Sequence, residues 1–183
     1  MNAKLRNLLL AIVVALVSAS VGLYLAGRKS ELLEAAPDAA ARLLALELPD
    51  LADQPQSLAQ WRGQVLVVNF WATWCPPCRK EIPEFVAISE KLQGKGVQFV
   101  GISIDSADKV RQFRDEARIS YPLLIGGMET MDFADHFGSK VKGLPFTVIL
   151  DRQGQLHHVK LGPMSGQELE EILESALAKT PAG

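Results

Sequence analysis

The chain has two cysteines, Cys75 and Cys78, spaced as C-x-x-C in the run Trp71-Ala72-Thr73-Trp74-Cys75-Pro76-Pro77-Cys78. Such a pair can serve dithiol–disulfide exchange, half of a zinc site or a structural disulfide. No second pair completes a four-thiolate zinc set, and one pair makes no disulfide framework, so the cysteine count points to redox use. The reactive form is the thiolate. An apolar run, Val65 to Trp71, leads into the pair, and a helical pattern with Ile82, Phe85, Val86 and Leu92 on one face follows it. Cys75 therefore falls at a strand-to-helix junction, where unpaired N–H groups and the helix dipole favour an anion. Cys75, at the helix start, is expected to attack as thiolate. Cys78, inside the first turn, is expected to resolve the mixed disulfide.

Neighbouring residues tune this chemistry. Pro76 and Pro77 suit a helix's first turn but remove two donors that would have stabilised the Cys75 thiolate. The thiol is therefore expected below a free cysteine's pKa without being extremely low, as in a reducing couple. Glu81, three residues after Cys78, reads either as a surface carboxylate favoured by the helix N-terminus or as an acid that moves protons for the thiols. Arg79 and Lys80 either favour the thiolate by charge or form a solvated face.

The elements that position these residues follow from periodicity and breakers. Leu43–Leu48 is expected as a first strand or extended segment, Asp53 to Pro55 as a turn, and Ser57–Trp61 as a helical turn closed by Gly63. Val65–Trp71 suits a strand buried on both faces. The site helix is expected over Pro77–Gln93, ending at Gly94 and Gly96, and Val97–Ile104 is the next strand. Ala107–Arg118 has helical spacing, Pro122–Ile125 is a brief strand, and Thr130–Phe137 a short helix stopped by Gly138. Phe146–Leu150 and Leu156–Leu161 are strands joined by a turn at Asp151–Gly154, and Gln167–Ala178 is a closing amphipathic helix. The fold class is α/β, a central mixed β-sheet with helices on both faces.

The Trp71–Cys78 run and the later Gly143-Leu144-Pro145-Phe146-Thr147 resemble the thioredoxin superfamily. Within it, the wider patterns V-N-F-W-A-T-W-C-x-P-C-R-x-E-x-P and G-L-P-x-T-x-x-x-D-x-x-G are similar to the TlpA/ResA-like membrane-anchored thiol–disulfide oxidoreductases. The resemblance covers about Leu46 to Leu177 and implies a thioredoxin-like fold with a central αβ insertion. It implies that Pro145 is a cis-proline beside the dithiol and that Leu144 offers backbone groups to an extended substrate segment. With Trp74, Pro76 and Pro77 these residues would shape a substrate groove, while Trp71 belongs to the core. The family's glutamate at this place favours a functional Glu81. Asn69 departs from ordinary thioredoxins, which carry a buried aspartate there, and so draws attention to Glu81. No cofactor is implied beyond the redox-active Cys75–Cys78 disulfide.

Upstream, Lys4 and Arg6 precede an uncharged run of 21 residues, Asn7 to Gly27, followed by Arg28 and Lys29. As a helix it would span roughly 30 Å, enough for a bilayer core. Residues 1–29 therefore read as a membrane anchor through residues 7–27, or as a signal segment cleaved after Ser20. Residues 30–42 read as a linker, and residues 43–180 as the thioredoxin-like domain. The expected location is the bacterial inner membrane, with the catalytic domain in the periplasm or on the outer face, or a secreted soluble form if cleaved.

With 19 basic and 21 acidic side chains, a net charge of −2 and no basic stripe, nucleic acid is not an expected partner. His136, His157 and His158 lack cysteine or carboxylate partners at ligand spacing, so no metal site is expected. The expected activity is protein disulfide reductase. Its partners would be client proteins with thiols or disulfides, such as apocytochrome c or copper-site assembly proteins, and a membrane electron donor of the thiol-reducing type. Pro145 is followed by Phe146 and not by the Pro-Glu pair frequent in the cytochrome-maturation branch. The alternatives are a dithiol oxidase, a peroxiredoxin-like peroxidase and a copper assembly factor. Ala72 stands where the peroxidase would want a hydroxyl, and C-x-x-C where the copper factor would want C-x-x-x-C.

Overall fold

The computed structural model describes residues 38–137 and 143–178. The expected anchor or signal segment, residues 30–37 of the linker and the Gly138 helix stop lie outside the described residues. Among the described residues no helix is long and apolar enough to cross a membrane.

Helical residues 38–44 (α1) are followed by the short antiparallel pair β1 (Glu47–Pro49) and β2 (Pro55–Ser57) and a 3-10 turn at Leu58–Trp61. Next come β3 (Val65–Trp71), α2 (Pro76–Lys91), β4 (Val97–Ser103), α3 (Ala107–Ala117) and β5 (Leu123–Ile125). A second 3-10 turn (Met128–Asp132) runs into α4 (Phe133–His136), and β6 (Phe146–Leu150), β7 (Leu156–Leu161) and α5 (Gly166–Ala178) close the chain. The main sheet has the order β5-β4-β3-β6-β7, with β3, β4 and β5 parallel and β6 and β7 antiparallel to their neighbours. It is the expected mixed sheet, with α3 connecting β4 to the parallel edge strand β5.

Every residue of the central strand β3 is buried, which is why its sequence is almost continuously apolar. Alternate side chains serve two cores. Val65, Val67 and Trp71 meet Ile82 and Phe85 of α2, Val110 and Phe113 of α3, and Leu169 and Leu173 of α5. Leu66, Val68 and Phe70 meet Leu43 and Leu44 of α1, Leu58 and Phe133 on the other face. Gly101 of β4 has no room for a side chain, because an added Cβ would lie 3.0 Å from the Trp71 indole nitrogen and 2.7 Å from Leu123. The end of β3, from which the site loop departs, is thereby packed against β4.

Several boundaries differ from expectation by a residue or two, and Pro55–Ser57 pairs as β2 where a turn and the start of a helical turn were expected. The segment Leu43–Leu48 does not start as a strand. Ala40, Leu43 and Leu44 place one face of α1 on the sheet, and the strand begins only at Glu47. The packed domain consequently reaches back at least to Ala40, into the stretch read as linker. The helix expected over Thr130–Phe137 begins two residues earlier as a 3-10 turn, with the Thr130 hydroxyl donating to the Gly127 carbonyl at 2.7 Å.

Candidate active site

Cys75 is the N-cap of α2, in extended conformation, and Pro76 and Pro77 occupy the first two helical positions. Two of the first-turn N–H groups are thus missing, and the first one available, that of Cys78, donates to Cys75 Sγ at 3.3 Å. The two sulfurs form a disulfide, so the structure shows the oxidised state. Cys78 is fully enclosed and Cys75 retains 3% exposure, the order expected of a resolving and an attacking thiol.

The loop ahead of Cys75 is held from both sides. The Thr73 hydroxyl donates to Asp105 at the end of β4, and Arg79 Nη1 donates to the Thr73 carbonyl at 3.3 Å. The Arg79 guanidinium also lies 4.6 Å from the centroid of the Phe113 ring. Arg79 therefore braces the loop, a use that neither sequence reading of it named. Burial alone would raise the Asp105 carboxyl, but bonds from Thr73, the Ser106 N–H and Lys109 outweigh that and hold it below its ordinary value. Asp105→Ala is expected to release Thr73 and slow client exchange several-fold, while the domain loses roughly 1–2 kcal/mol from the orphaned hydroxyl. Stopped-flow exchange beside denaturant unfolding checks this; an unchanged exchange rate would remove Asp105 from the site.

Glu81 is not on the surface. It is 3% exposed, on the core side of α2. Its Oε1 accepts from Asn69 Nδ2 at 2.9 Å, and its Oε2 accepts from the Met164 N–H at 3.0 Å. Burial pushes its carboxyl up to about 7 against these two bonds, which lower it, with a smaller raising effect of the Glu84 charge. A carboxyl poised near neutrality, one helical turn beyond Cys78, is suited to taking and returning a proton during exchange.

Of the expected groove residues, Trp74, Pro76, Pro77 and Leu144 line one largely apolar groove, edged by Glu129 and Asp132, and Pro145 is not among its lining residues. Trp74, Cys75, Pro76, Pro77, Gly143 and Leu144 form it with Ile104, Met128 and Met131, enclosing about 730 Å³. Trp74 is 62% and Met128 68% exposed, unusual values for such apolar side chains and consistent with a docking surface. The Leu144–Pro145 peptide is cis, as the resemblance implied, and opens into β6. A second groove, about 550 Å³, is also lined by Pro76 and Pro77, together with Lys80, Glu81, Glu84 and Met164 among others.

Sequence reasoning missed Thr73, Asp105, Met128, Met131, Met164 and Thr147. Thr73 and Thr147 carried a signal, since they lie in the Trp71–Cys78 and Gly143–Thr147 motifs; Thr147 accepts from Asn69 Nδ2 at 3.0 Å. The histidines lie elsewhere: His157 Nε2 is 2.8 Å from Ser175 Oγ, and His136 Nδ1 is 2.9 Å from the Asp132 carbonyl. Among the described residues no group of three or more His, Cys, Asp or Glu could hold a metal ion.

Comparison with known proteins gives four findings. Residues 35–159 match the model of the AhpC/TSA family. The chain is 33% identical over 131 residues to the thioredoxin-like protein YneN of Bacillus subtilis, covering 69% of this chain and 74% of that one. It is 28% identical over 128 residues to the thiol-disulfide oxidoreductase ResA of Halalkalibacterium halodurans, covering 69% and 70%. Among solved structures, a thioredoxin-family thiol:disulfide interchange protein from Chlorobium tepidum TLS aligns with a TM-score of 0.65 at 30% identity, covering 72% of this chain and 92% of that one.

Proposed function

Because the chain belongs to the AhpC/TSA family of thioredoxin-fold proteins and is a thiol–disulfide oxidoreductase of the ResA/DsbE type, we propose that it works in the reducing direction on exported client proteins. Cys75 thiolate attacks a client disulfide, and one client sulfur leaves as thiolate. Cys78, giving its proton to Glu81, then attacks Cys75 Sγ. The second client sulfur departs, and the Cys75–Cys78 disulfide seen here remains. The client has gained two electrons, which a thiol-reducing membrane donor must restore.

The observation that carries this direction is the donor count at Cys75. A strong oxidant stabilises its reduced form by surrounding the attacking thiolate with favourable charge and donors. Here Pro76 and Pro77 supply none, the Cys78 N–H supplies one, and a buried carboxyl stands one turn further on. The reduced form is therefore weakly favoured and gives up its electrons readily. Apocytochrome c and copper-site assembly proteins are the clients proposed. Residues 7–27 would tether the domain to the outer face of the inner membrane, or cleavage after Ser20 would release it.

Equilibration of the domain with glutathione buffers tests the direction. A midpoint more negative than about −200 mV is expected, on the thioredoxin side of the scale, whereas a value near about −120 mV would make the protein a dithiol oxidase.

A further inference from the structure

We propose that Asn69 and Thr147 are positioning residues that turn with the proton on Glu81, the Asn69 side chain presenting Nδ2 to the carboxylate and Oδ1 to the carboxylic acid. This deepens the reading of Glu81 as the proton acceptor of the exchange and rests on it.

Asn69 and Thr147 are direct cross-strand partners of β3 and β6, and both side chains are buried, at 2% and 0% exposure. In the arrangement observed, Asn69 Nδ2 donates to Glu81 Oε1 and to Thr147 Oγ1, and Asn69 Oδ1 is buried without a partner. That pattern suits a charged Glu81, which only accepts. The other carboxylate oxygen, Oε2, already faces the Met164 N–H. The Met164 N–H is fixed in the backbone and cannot turn, whereas the Asn69 amide can, so a proton on Glu81 is accommodated at Oε1, where it would meet the Asn69 N–H head on.

Turning the amide removes the conflict. Oδ1 then accepts from the new Glu81 O–H and from the Thr147 hydroxyl, which can donate as well as accept. Each arrangement makes the same two side-chain bonds and leaves one end of the amide without a partner. The two states therefore lie close in hydrogen bonding and are separated by the proton. A hydroxyl at 147 is what makes both work; a valine of the same shape could serve neither. The proton can enter through the second groove, which Glu81 lines; the apolar groove does not reach Glu81. Other ionisable groups lie about Glu81: Lys80 and Glu84 on α2, Glu168 on α5 and Tyr121 ahead of β5, while Cys75 and Cys78, joined as a disulfide, do not titrate. Of these the Glu84 charge raises the Glu81 carboxyl, but the described hydrogen-bond partners of the Asn69 side chain are Glu81 and Thr147 alone.

The test is nuclear magnetic resonance on the oxidised full chain between about pH 5 and 9, following the Asn69 side-chain amide and the Glu81 carboxyl carbon together. The expected result is one shared midpoint. In the Glu81→Gln variant the introduced carbonyl oxygen must accept from Met164 and the introduced NH₂ must donate to Asn69, so the Asn69 amide should hold the acid-state signals at every pH. Thr147→Val should move the Glu81 midpoint and Thr147→Ser should not. Asn69 signals that stay constant while Glu81 titrates, or a Glu81→Gln spectrum matching the alkaline wild type, would overturn the proposal. Failure of the functional reading looks different: Glu81→Gln would then leave the rate and pH profile of thiol exchange unchanged, whatever Asn69 does.

Discussion

Cys78→Ser should convert the enzyme into a covalent trap, with multiple-turnover client reduction falling by roughly a thousandfold or more. Cys75 attacks first, so the variant still forms the mixed disulfide. Release then depends on a second thiol, and in the wild type that thiol sits one turn along the same helix, bonded to Cys75 in the oxidised state. An intramolecular nucleophile at contact distance acts at an effective concentration far above that of any free thiol, and serine cannot replace it as a nucleophile. The fold should survive, because serine differs from cysteine by one atom, has a similar shape, and its hydroxyl can bond the carbonyl of Cys75, three residues back. Expressed in its host, the variant should carry clients on Cys75 that reducing agent releases and mass spectrometry identifies. Cys75→Ser in the same experiment should carry none. A Cys78→Ser protein that turned over at wild-type rate, or equal capture by both variants, would refute the assignment of the two thiols.

How much of this was readable in advance depended on the range of the interactions. The strand β3 was legible because burial on both faces demands an apolar residue at nearly every position from Val65 to Trp71, and the dithiol because its spacing and helix start are local. The strand expected from Leu43 failed for a physical reason. A short apolar run has no period of its own, and only the contacts of Ala40, Leu43 and Leu44 with the sheet decide for helix. Glu81 is the sharper case. A glutamate one turn into a helix is ordinarily solvated, and its burial depends on partners 12 and 83 residues away, Asn69 and Met164. The Thr73–Asp105 brace spans 32 residues and was invisible for the same reason. Local chemistry could be read from the sequence, whereas the surroundings that tune it are assembled by the fold.

Those surroundings make Glu81→Gln the second large expectation, in stability and rate together. The Glu81 carboxyl titrates at about 7 in the fold against an ordinary 4.5, first because it is buried. The folded state therefore holds this proton more tightly than the unfolded chain. The stability it contributes is fully present below pH 4.5 and is lost as pH rises through 7, a swing of roughly 3 kcal/mol. A neutral amide at this position has no charge to desolvate, so the variant should lack this slope and exceed the wild type in unfolding free energy above pH 7 by up to roughly that amount. Its exchange rate should move the opposite way. Without a proton acceptor near Cys78, the resolving step should slow by about a hundredfold near neutrality and lose the limb of its pH profile centred near 7. Denaturant melts and stopped-flow exchange across the same pH series separate the two effects. A variant more stable at alkaline pH but unaltered in rate would leave Glu81 a buried acid without a catalytic use. Loss of rate with an unchanged stability slope would place the raised carboxyl somewhere other than the oxidised fold. Only the paired result, gain of stability against loss of rate, makes the burial of this carboxylate a cost that the fold bears for proton transfer.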